Sequence, residues 1–559
     1  MPKTVAKKTK SSSQPALDVL LLPATWSHQR ILLALTAATL LCLLPFLGKA
    51  FHMDDPLFLW TAQQITHHPL DPYGYDLVWY FIQMHMWAVT KNPPLASYYA
   101  ALIGSFAGWS ERVMHAAFLI PAVALILGTY QLARRFTKYP LIAAAATLVA
   151  PVVMVSATSI MCDTMMLALW VWAAVFWIKG LDPPNPLYLA TSGILIAACA
   201  LTKYFGASLI LLLLVYSLNR RRYRSLWYLL IPIAALIQYQ LWTESIYGQG
   251  LLSDAVSYAS NEGKDWGSVI GQSLMGLSFL GGCTLPALAF TSLLWRPKQW
   301  LPITGTATFL ALCVYLKWIT LDAPVPDNYR GPISLQLAFY VTAGILVLAL
   351  AIADLRRSRD ADSLFLLLWI TGTFLFATYL NWTINARSIL PLIPAAGILI
   401  ARRLQTVKAS RTAIAIPLAA CAVLSLWITC GDAGFANSAR QAAVMIHDKT
   451  QGQPGSVWFA GHWGFQYYMQ QYGFRPYDQK NNLSQPGDTL IMPDNNSNLF
   501  EVSSNVIYHT IEIPMHRGVI TQRNDRGAGF YSTVWGPLPF SFGPVPPERY
   551  SFIRLMQKQ

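Results

Sequence analysis

Charged residues are scarce in this chain. Asp, Glu, Lys and Arg make up 12% of its 559 residues and hydrophobic residues 54%, whereas charged residues average about 25% in soluble domains. Apolar runs of about 17–25 residues recur between residues 30 and 430, each long enough to cross the hydrocarbon core of a bilayer as a helix. This composition excludes an ordinary soluble enzyme and predicts a polytopic helical membrane protein.

Several familiar motifs are also missing. The seven cysteines all lie in or beside apolar segments, so no disulfide framework is predicted. The chain has no glycine-rich dinucleotide motif, no phosphate-binding loop and no HExxH sequence, and its histidines lack zinc-ligand spacing. We therefore predict no definite cofactor, and a divalent metal stays an open alternative. No internal repeat is visible, which weakens a transporter built from duplicated halves.

Basic residues give the chain a net charge of +14, but they do not form a nucleic-acid-binding patch. They cluster between alternate apolar runs, as the positive-inside rule predicts for cytoplasmic loops. The clusters lie at 3–10, 134–138, 220–224, 296–298, 356–359 and 402–411. We therefore expect the lipid bilayer, and no nucleic acid, as a partner.

Threading the chain with every basic cluster in the cytosol predicts an all-α membrane domain of about thirteen spans. They are placed roughly at 28–51, 112–134, 141–160, 164–178, 187–203, 204–219, 225–245, 268–294, 299–320, 333–354, 363–381, 388–402 and 411–430. Residues 1–27 form a cytosolic basic tail, 28–430 the membrane domain, and 52–111 a large first external loop in which 95–109 lies along the interface. The protein is placed in the plasma or inner membrane.

Residues 431–559 differ in character from the rest of the chain. They are rich in Gly, Pro, Asn and Gln and contain strand-like pieces at 456–460 and 489–492 and a helix-like piece at 464–472. We predict a small extracytoplasmic α/β domain, large enough for its own core. The aromatic group around His462 and Trp463 is either a sugar-stacking surface or part of that core.

Three carboxylates stand out at the predicted outer face. Asp54 and Asp55 follow the first apolar run, and Asp163 breaks a long apolar stretch in two. A carboxylate pair at the edge of a bilayer is costly, because low dielectric and like charge both oppose ionisation. The plainer interpretation is that Asp54 and Asp55 begin a loop or cap a helix, and that Asp163 is an N-cap.

Three cations fall on the same predicted side. Lys91 precedes Pro93 and Pro94, Lys203 interrupts apolar sequence, and Arg387 precedes a proline-rich segment. Lys91 could simply extend its amine to the interface, but a charge between two apolar runs, such as Lys203, needs a partner or water. Cations can hold phosphate oxygens and a carboxylate can accept a proton from an acceptor group. The set therefore suits chemistry on a phosphorylated lipid.

In their order and predicted membrane side, these motifs resemble integral-membrane glycosyltransferases of the GT-C superfamily. The likeness is to the branch of protein O-mannosyltransferases and lipid A aminoarabinose transferases, and it extends over about 30–400. It implies transfer of a sugar, with inversion, from a polyprenyl-phosphate donor to a glycan, lipid or protein acceptor outside the membrane. It further implies Asp54 as the base with Asp55 beside it, Asp163 as a second acid, and Lys91, Lys203 and Arg387 as donor phosphate ligands.

Two other classes stay open. A non-catalytic membrane assembly factor would account for the C-terminal region but leaves Asp54, Asp163 and Lys203 without a role. A transporter or flippase of lipid-linked sugars would also be polytopic and carry intramembrane charges. It should place those charges along a pathway through the membrane, whereas here they fall at one face.

Overall fold

The computed structural model describes residues 26–261, 269–407, 409–501 and 506–556. The predicted cytosolic tail at 1–27 lies outside the described residues except for its last two. The helices before the C-terminal region are α1 His28–Leu43, α2 Asp55–His67, α3 Met86–Val89, α4 Leu95–Ala107, α5 Glu111–Phe136, α6 Pro140–Leu148, α7 Pro151–Ala157, α8 Cys162–Leu181, α9 Pro186–Thr202, α10 Ser208–Asn219, α11 Leu230–Tyr247, α12 Leu251–Asn261, α13 Val269–Cys283, α14 Leu285–Ala289, α15 Thr291–Leu294, α16 Pro297–Tyr315, α17 Arg330–Ser358, α18 Ala361–Leu375, α19 Ala386–Ile389, α20 Ile393–Leu404 and α21 Arg411–Thr450.

The polytopic helical fold is confirmed. Within the described residues, seven helices are long and apolar enough to cross a membrane, and eight if α6 and α7, bent by 62°, form one span. Other predicted spans fall on shorter apolar helices, among them α9, α10 and α13. The number of about thirteen spans stays a prediction.

Charged residues distinguish the two ends of the helical bundle. α8 begins next to Asp163, and Asp182, which follows its last residue, pairs with Arg220 and Arg222. Elsewhere at this end, Arg135 lies 3.2 Å from Asp362. Among the described residues, the basic clusters that make these ion pairs therefore lie at one end of the bundle, and the first-loop carboxylates and Lys203 lie at the other.

The predicted first loop, 52–111, is itself folded. It contains α2, the hairpin of β1 Asp76–Trp79 and β2 Ile82–His85, then α3 and α4. The predicted interfacial segment at 95–109 falls on α4, which has only 13 residues and packs along α2. Pro94 sets its start, because a proline is tolerated only where no helical amide bond is needed.

The C-terminal region contains a sheet, as predicted. Its elements are β3 Val457–Phe459, α22 Trp463–Gln471, β4 Arg475–Pro476, β5 Thr489–Pro493, β6 Ile507–Ile513, β7 Val519–Ile520, β8 Gln522–Arg523, β9 Ala528–Gly529, β10 Ser541–Phe542 and β11 Glu548–Arg554. The five-stranded sheet has the order β4-β3-β5-β11-β6, with β3 parallel to β4 and β5, and β11 antiparallel to both neighbours.

The two regions are joined by one long helix. α21 has 40 residues and contains the predicted domain boundary at 430–431. Its apolar first half packs against α7 and α14, and its second half packs against α22. This continuity places the sheet-containing region directly over the end of the bundle that carries the carboxylates.

Candidate functional site

A cavity of about 1190 Å³ lies between the membrane helices and the C-terminal region. Among the described residues that line it, five are charged: Asp54, Lys91, Asp163, Lys203 and Arg387. These are five of the six residues predicted from the sequence. The sixth, Asp55, is fully buried and does not line the cavity.

Asp54 reaches the cavity because of the turn that precedes α2. Met53 takes a left-handed backbone with φ +48°, a conformation that non-glycine residues seldom adopt, and the amide of Asp55 then donates to the carbonyl of His52 at 3.0 Å. Asp54 occupies the N-cap position of α2, but its side chain makes no capping hydrogen bond. Its carboxylate, 32% exposed, faces the cavity instead.

Asp163 and Lys203 meet because α8 and α9 pack as an antiparallel pair. Asp163 lies in the first turn of α8 and Lys203 directly follows α9, so both side chains reach the same end of the pair. The Lys203 Nζ lies 2.5 Å from Asp163 Oδ1, and the Asp163 side chain is only 2% exposed. The lysine thus compensates a buried carboxylate that would otherwise be very costly.

Arg387 lies between the two carboxylates. Its Nη1 is 3.0 Å from Asp54 Oδ2 and 3.9 Å from Asp163 Oδ2. It follows an irregular stretch that begins with a π-helical turn at 376–380, a type of distortion often found at functional sites. Burial opposes its charge, but Asp54 and Asp163 outweigh that effect and hold the pKa of Arg387 above its ordinary value.

Lys91 lines another part of the cavity and has a different partner. Its Nζ is 2.6 Å from Asp254 Oδ2, on α12, and 5.3 Å from the centre of the Tyr258 ring. The structure gives it no contact with Asp54 or Asp163. Lys91 is therefore placed to reach only a ligand group that lies away from the two carboxylates.

Asp55 ties two backbone segments together behind the cavity wall. Its carboxylate accepts hydrogen bonds from the amides of His52, at 2.9 Å, and Ile160, at 3.0 Å. Burial raises the pKa of Asp55 to about 7, although Lys49 and both amides act in the opposite direction. These bonds join the turn that carries Asp54 to the segment that leads into Asp163.

Sequence reasoning missed a second buried network next to the site. The Nζ of Lys49 lies 2.6 Å from Asp432 Oδ2, and both side chains are fully buried. The other oxygen of Asp432 accepts hydrogen bonds from Thr521, at 2.7 Å, and from the hydroxyl of Tyr531, at 3.0 Å. Lys49 and Asp432 stand at the ends of predicted spans, where isolated charges are common and attract no notice.

Tyr531 carries this network to the cavity. Its ring lines the cavity and lies 5.5 Å from the Arg387 guanidinium, within cation–π distance. The C-terminal region thus contributes directly to the surroundings of Arg387. No signal in the sequence distinguished this tyrosine from the other 25.

The aromatic group predicted around His462 is divided by the fold. Phe465, Tyr467 and Tyr468 are buried in a core shared with α2, α4 and α5. Trp463 instead lines the cavity, together with Trp535. The core alternative therefore holds for Phe465, Tyr467 and Tyr468, and the sugar-stacking alternative stays a prediction for Trp463.

The residues present do not form a ligand set for a divalent metal. Within the ranges that the structure describes, no three His, Cys, Asp or Glu side chains converge on one point. His52, the nearest histidine in sequence to Asp54, faces Asp432, Phe435 and Tyr531. The position between Asp54 and Asp163 is taken by the cation of Arg387. We derive no step through a metal.

A helical membrane domain whose charged cavity is covered by a sheet-containing region fits the GT-C superfamily of membrane glycosyltransferases. Residues 91–242 match the family described as dolichyl-phosphate-mannose-protein mannosyltransferase. This match confirms the superfamily resemblance inferred from the motifs. It covers less than half of the chain, which is similar to that family over this region. Comparison with curated proteins finds no match.

Comparison with solved structures finds matches among membrane glycosyltransferases. The Archaeoglobus fulgidus oligosaccharyltransferase tethered to an acceptor peptide is 12% identical, with a TM-score of 0.47, over 81% of this chain and 64% of that one. ArnT from Cupriavidus metallidurans bound to undecaprenyl phosphate is 14% identical, with a TM-score of 0.38, over 84% and 94%. The mycobacterial arabinofuranosyltransferase AftD is 14% identical, with a TM-score of 0.35, over 78% and 30%. The chain thus spans somewhat less than two thirds of the archaeal enzyme.

Proposed function

We propose that this protein is a membrane glycosyltransferase that moves a sugar from a polyprenyl-phosphate donor to an acceptor at the outer face of the membrane. The observation that carries the proposal is the placement of Arg387 between Asp54 and Asp163, with Lys203 on the far side of Asp163. The family match supports it, since that family's description names a lipid-phosphate sugar as donor.

The two carboxylates suit different tasks. Asp163 is almost fully buried and already paired with Lys203, whereas the Asp54 carboxylate is 32% exposed towards the cavity. Only Asp54 can therefore approach an acceptor hydroxyl without the loss of a buried ion pair. We assign Asp54 as the general base and Asp163 as the group that holds Lys203 and Arg387 in place.

The reaction then follows from the charges. Asp54 takes the proton of the acceptor hydroxyl as its oxygen forms a bond to the anomeric carbon, and the bond from that carbon to the phosphate oxygen breaks. The polyprenyl phosphate leaves with an additional negative charge, which Arg387 and Lys203 stabilise in the low-dielectric cavity. Attack from the face opposite the phosphate inverts the anomeric carbon.

The flippase alternative fits the charge distribution less well. The five charged cavity residues lie at one end of the bundle, and the ion pairs at the other end join basic clusters to Asp182, Asp354 and Asp362. A translocation pathway would need polar groups between these ends.

The test is sugar transfer by the purified full-length protein in lipid nanodiscs. The donor is radiolabelled polyprenyl-phosphate mannose, and acceptors are drawn from glycans, lipids and peptides. Asp54→Asn should lower the transfer rate by about 100-fold or more, because it removes a general base. The control is Asp327→Asn, since Asp327 is also paired with an arginine, Arg330 at 2.7 Å, but lies outside the cavity.

Two results would contradict the proposal. Full activity in Asp54→Asn would remove Asp54 as the base. Movement of the lipid-linked sugar across the bilayer by the wild type, without transfer to any acceptor, would instead establish the flippase.

A further inference from the structure

The cavity has a charged half and an uncharged half, and the two come from different parts of the chain. All five charged lining residues belong to the membrane domain. The described lining residues from the C-terminal region are uncharged side chains with aromatic, amide or hydroxyl groups: Trp463, Ser497, Asn498, Gln522, Tyr531, Ser532 and Trp535, together with Val534. We call this the C-terminal wall.

Trp463 is held towards the cavity by a constrained backbone. Its φ of +61° lies in the left-handed region, which is unfavourable for a bulky residue and persists only where the surroundings enforce it. The preceding His462 stacks on Trp79 with ring centres 4.3 Å apart. The following Gly464 lies against the backbone of Phe51, where an added Cβ would meet a carbonyl oxygen at 2.0 Å.

Trp535 is fixed relative to Arg387. The carbonyl of Phe530 accepts a hydrogen bond from the amide of Ala386 at 2.8 Å, and the amide of Thr533 donates to the carbonyl of Ile384 at 3.0 Å. These bonds join the segment that carries Trp535 to the loop that carries Arg387. The two tryptophan rings lie 5.4 Å apart at an angle of 58°, and both line the cavity.

The chemistry of the C-terminal wall fits a sugar ring. A sugar presents apolar C–H faces, which pack on aromatic rings, and hydroxyls, which pair with neutral amide and hydroxyl groups. A wall without charge provides no counter-ion for a phosphate or for a charged peptide side chain. The charged half of the same cavity supplies the groups for a phosphate, so the two halves together fit a sugar joined to a phosphorylated lipid.

We propose that the C-terminal wall is a carbohydrate-binding subsite in which Trp463 and Trp535 hold a sugar ring. The proposal rests on the proposed function, to which it adds a role for the C-terminal region. The ring belongs either to the donor, as the sugar that is transferred, or to an acceptor glycan. Both sources share the chemistry that the wall recognises, and the two arms of the experiment separate them.

The experiment measures binding to the full-length protein in nanodiscs, without turnover. The donor arm uses polyprenyl-phosphate mannose against bare polyprenyl phosphate, and the acceptor arm uses mannotetraose alone. Trp463→Leu and Trp535→Leu are compared with Trp318→Leu, since Trp318 is 73% exposed and lies outside the cavity. Thermal unfolding of each variant, and Trp463→Phe as the conservative replacement, check that the fold is retained.

We expect Trp463→Leu and Trp535→Leu to weaken the binding of one sugar-bearing probe by about tenfold, equivalent to about 1.4 kcal/mol. Binding of bare polyprenyl phosphate should stay unchanged, and Trp463→Phe should recover part of the loss. A loss in the donor arm assigns the wall to the transferred sugar, and a loss in the acceptor arm assigns it to an acceptor glycan.

The proposal is overturned if folded tryptophan variants bind both sugar-bearing probes as the wild type does. It is also overturned if they lose bare polyprenyl phosphate to the same extent, because the residues would then act only on the shape of the whole cavity. A wild type that binds sugar on this wall but transfers none would retain the subsite and refute the enzyme. If the wild type transfers sugar but both tryptophan variants bind sugar as it does, the proposed enzyme is retained and the subsite is refuted.

Discussion

At the scale of single residues, the cavity is organised around a cation that two carboxylates share. Arg387 makes its shorter contact with the more exposed of them, Asp54, and its longer one with the buried Asp163. A donor phosphate that enters must therefore draw Arg387 away from Asp54. On the proposed function, the same movement would leave the Asp54 carboxylate unpaired and free to contact an acceptor hydroxyl when the donor is in place.

Arg387 and Lys91 lie in different parts of the cavity, and their substitution should affect different kinetic constants. Arg387→Gln should lower kcat by about 100- to 1000-fold, since it removes a group that stabilises the charge developing on the leaving phosphate. Lys91→Gln should mainly raise the KM for the donor, because Lys91 pairs with Asp254 and has no contact with Asp54 or Asp163. Steady-state kinetics with the labelled donor measure both, with Lys317→Gln, exposed and outside the cavity, as the control.

Equal losses of kcat in the Arg387 and Lys91 variants would contradict this division. They would mean that the donor phosphate contacts both residues in the bound state, which would require Lys91 to leave Asp254 and turn towards Arg387.

Asp55 should give the protein a particular dependence of stability on pH. Its pKa is raised to about 7 by burial, against about 3.9 for an unfolded aspartate. Between these values the folded state holds a proton that the unfolded state has lost, so this group makes the protein less stable as the pH rises from about 4 to about 7. His52, whose pKa burial lowers to about 3, acts in the opposite direction, so the comparison must be made against a variant.

The measurement is the difference in thermal stability between the wild type and Asp55→Asn across that range. The variant should be less stable at a pH of about 4, because its amide group faces a backbone donor, at a cost of about 1–3 kcal/mol. That deficit should shrink as the pH rises from about 4 to about 7, and because three pKa units correspond to about 4 kcal/mol, it should vanish or reverse before it becomes constant. A deficit that does not vary with pH would show that Asp55 keeps its ordinary pKa in the fold.

At the scale of secondary-structure elements, the Lys49–Asp432 pair joins three parts of the fold. Lys49 follows α1, Asp432 lies midway along α21, and Thr521 and Tyr531 belong to the C-terminal region. Since both charges are fully buried, each depends on the other for compensation. The pair therefore couples docking of the C-terminal region to the turn that carries Asp54.

A double-mutant cycle tests this coupling. Lys49→Met and Asp432→Asn should each destabilise the protein by about 3–5 kcal/mol, because each strands or weakens a buried charge. The double variant should lose much less stability than the two single variants lose together. Neither charge is then left buried, and the new amide oxygen still accepts hydrogen bonds from Tyr531 and Thr521. Thermal unfolding provides the energies, and proteolysis of the C-terminal region reports on its docking. Strict additivity would mean that the two residues do not interact.

The elements near the site differ in how well the sequence could reveal them. Asp163 and Lys203 were visible because each interrupts an apolar run, where a charge is costly. Lys49 and Asp432 are also a cation and a carboxylate, but they lie at the ends of predicted spans, where charged residues are common and do not indicate a site. The sequence indicated Trp463 only as one of an aromatic group and did not indicate Trp535, because only the path of the C-terminal region past Arg387 brings both to the cavity.

At the scale of the whole molecule, the predictable part was the alternation of charge. Apolar runs set the helices, and the basic clusters between alternate runs indicated which ends lie together. The close approach of Arg387 and Asp54, residues separated by 333 positions, depends on how irregular segments pack over the helix ends. Periodicity contains no information about that packing. The domain boundary predicted at 430–431 falls inside α21, which continues without interruption from Arg411 to Thr450, so the change in composition does not coincide with the end of a helix.

The orientation of the bundle in the membrane yields the last prediction. The cavity and the basic clusters lie at opposite ends, and positive charge favours the cytosolic side, so the cavity should face outwards. Leu70→Cys, 75% exposed beside the cavity end, should react with an impermeant maleimide in right-side-out vesicles. Tyr223→Cys, 60% exposed beside the basic cluster, should react only after permeabilisation. Five of the seven native cysteines are buried, and only Cys42 and Cys430 are partly exposed. The labelling positions are therefore introduced into a Cys42→Ala, Cys430→Ala variant. The reverse pattern would place the carboxylates in the cytosol and require a donor sugar that is presented on that side.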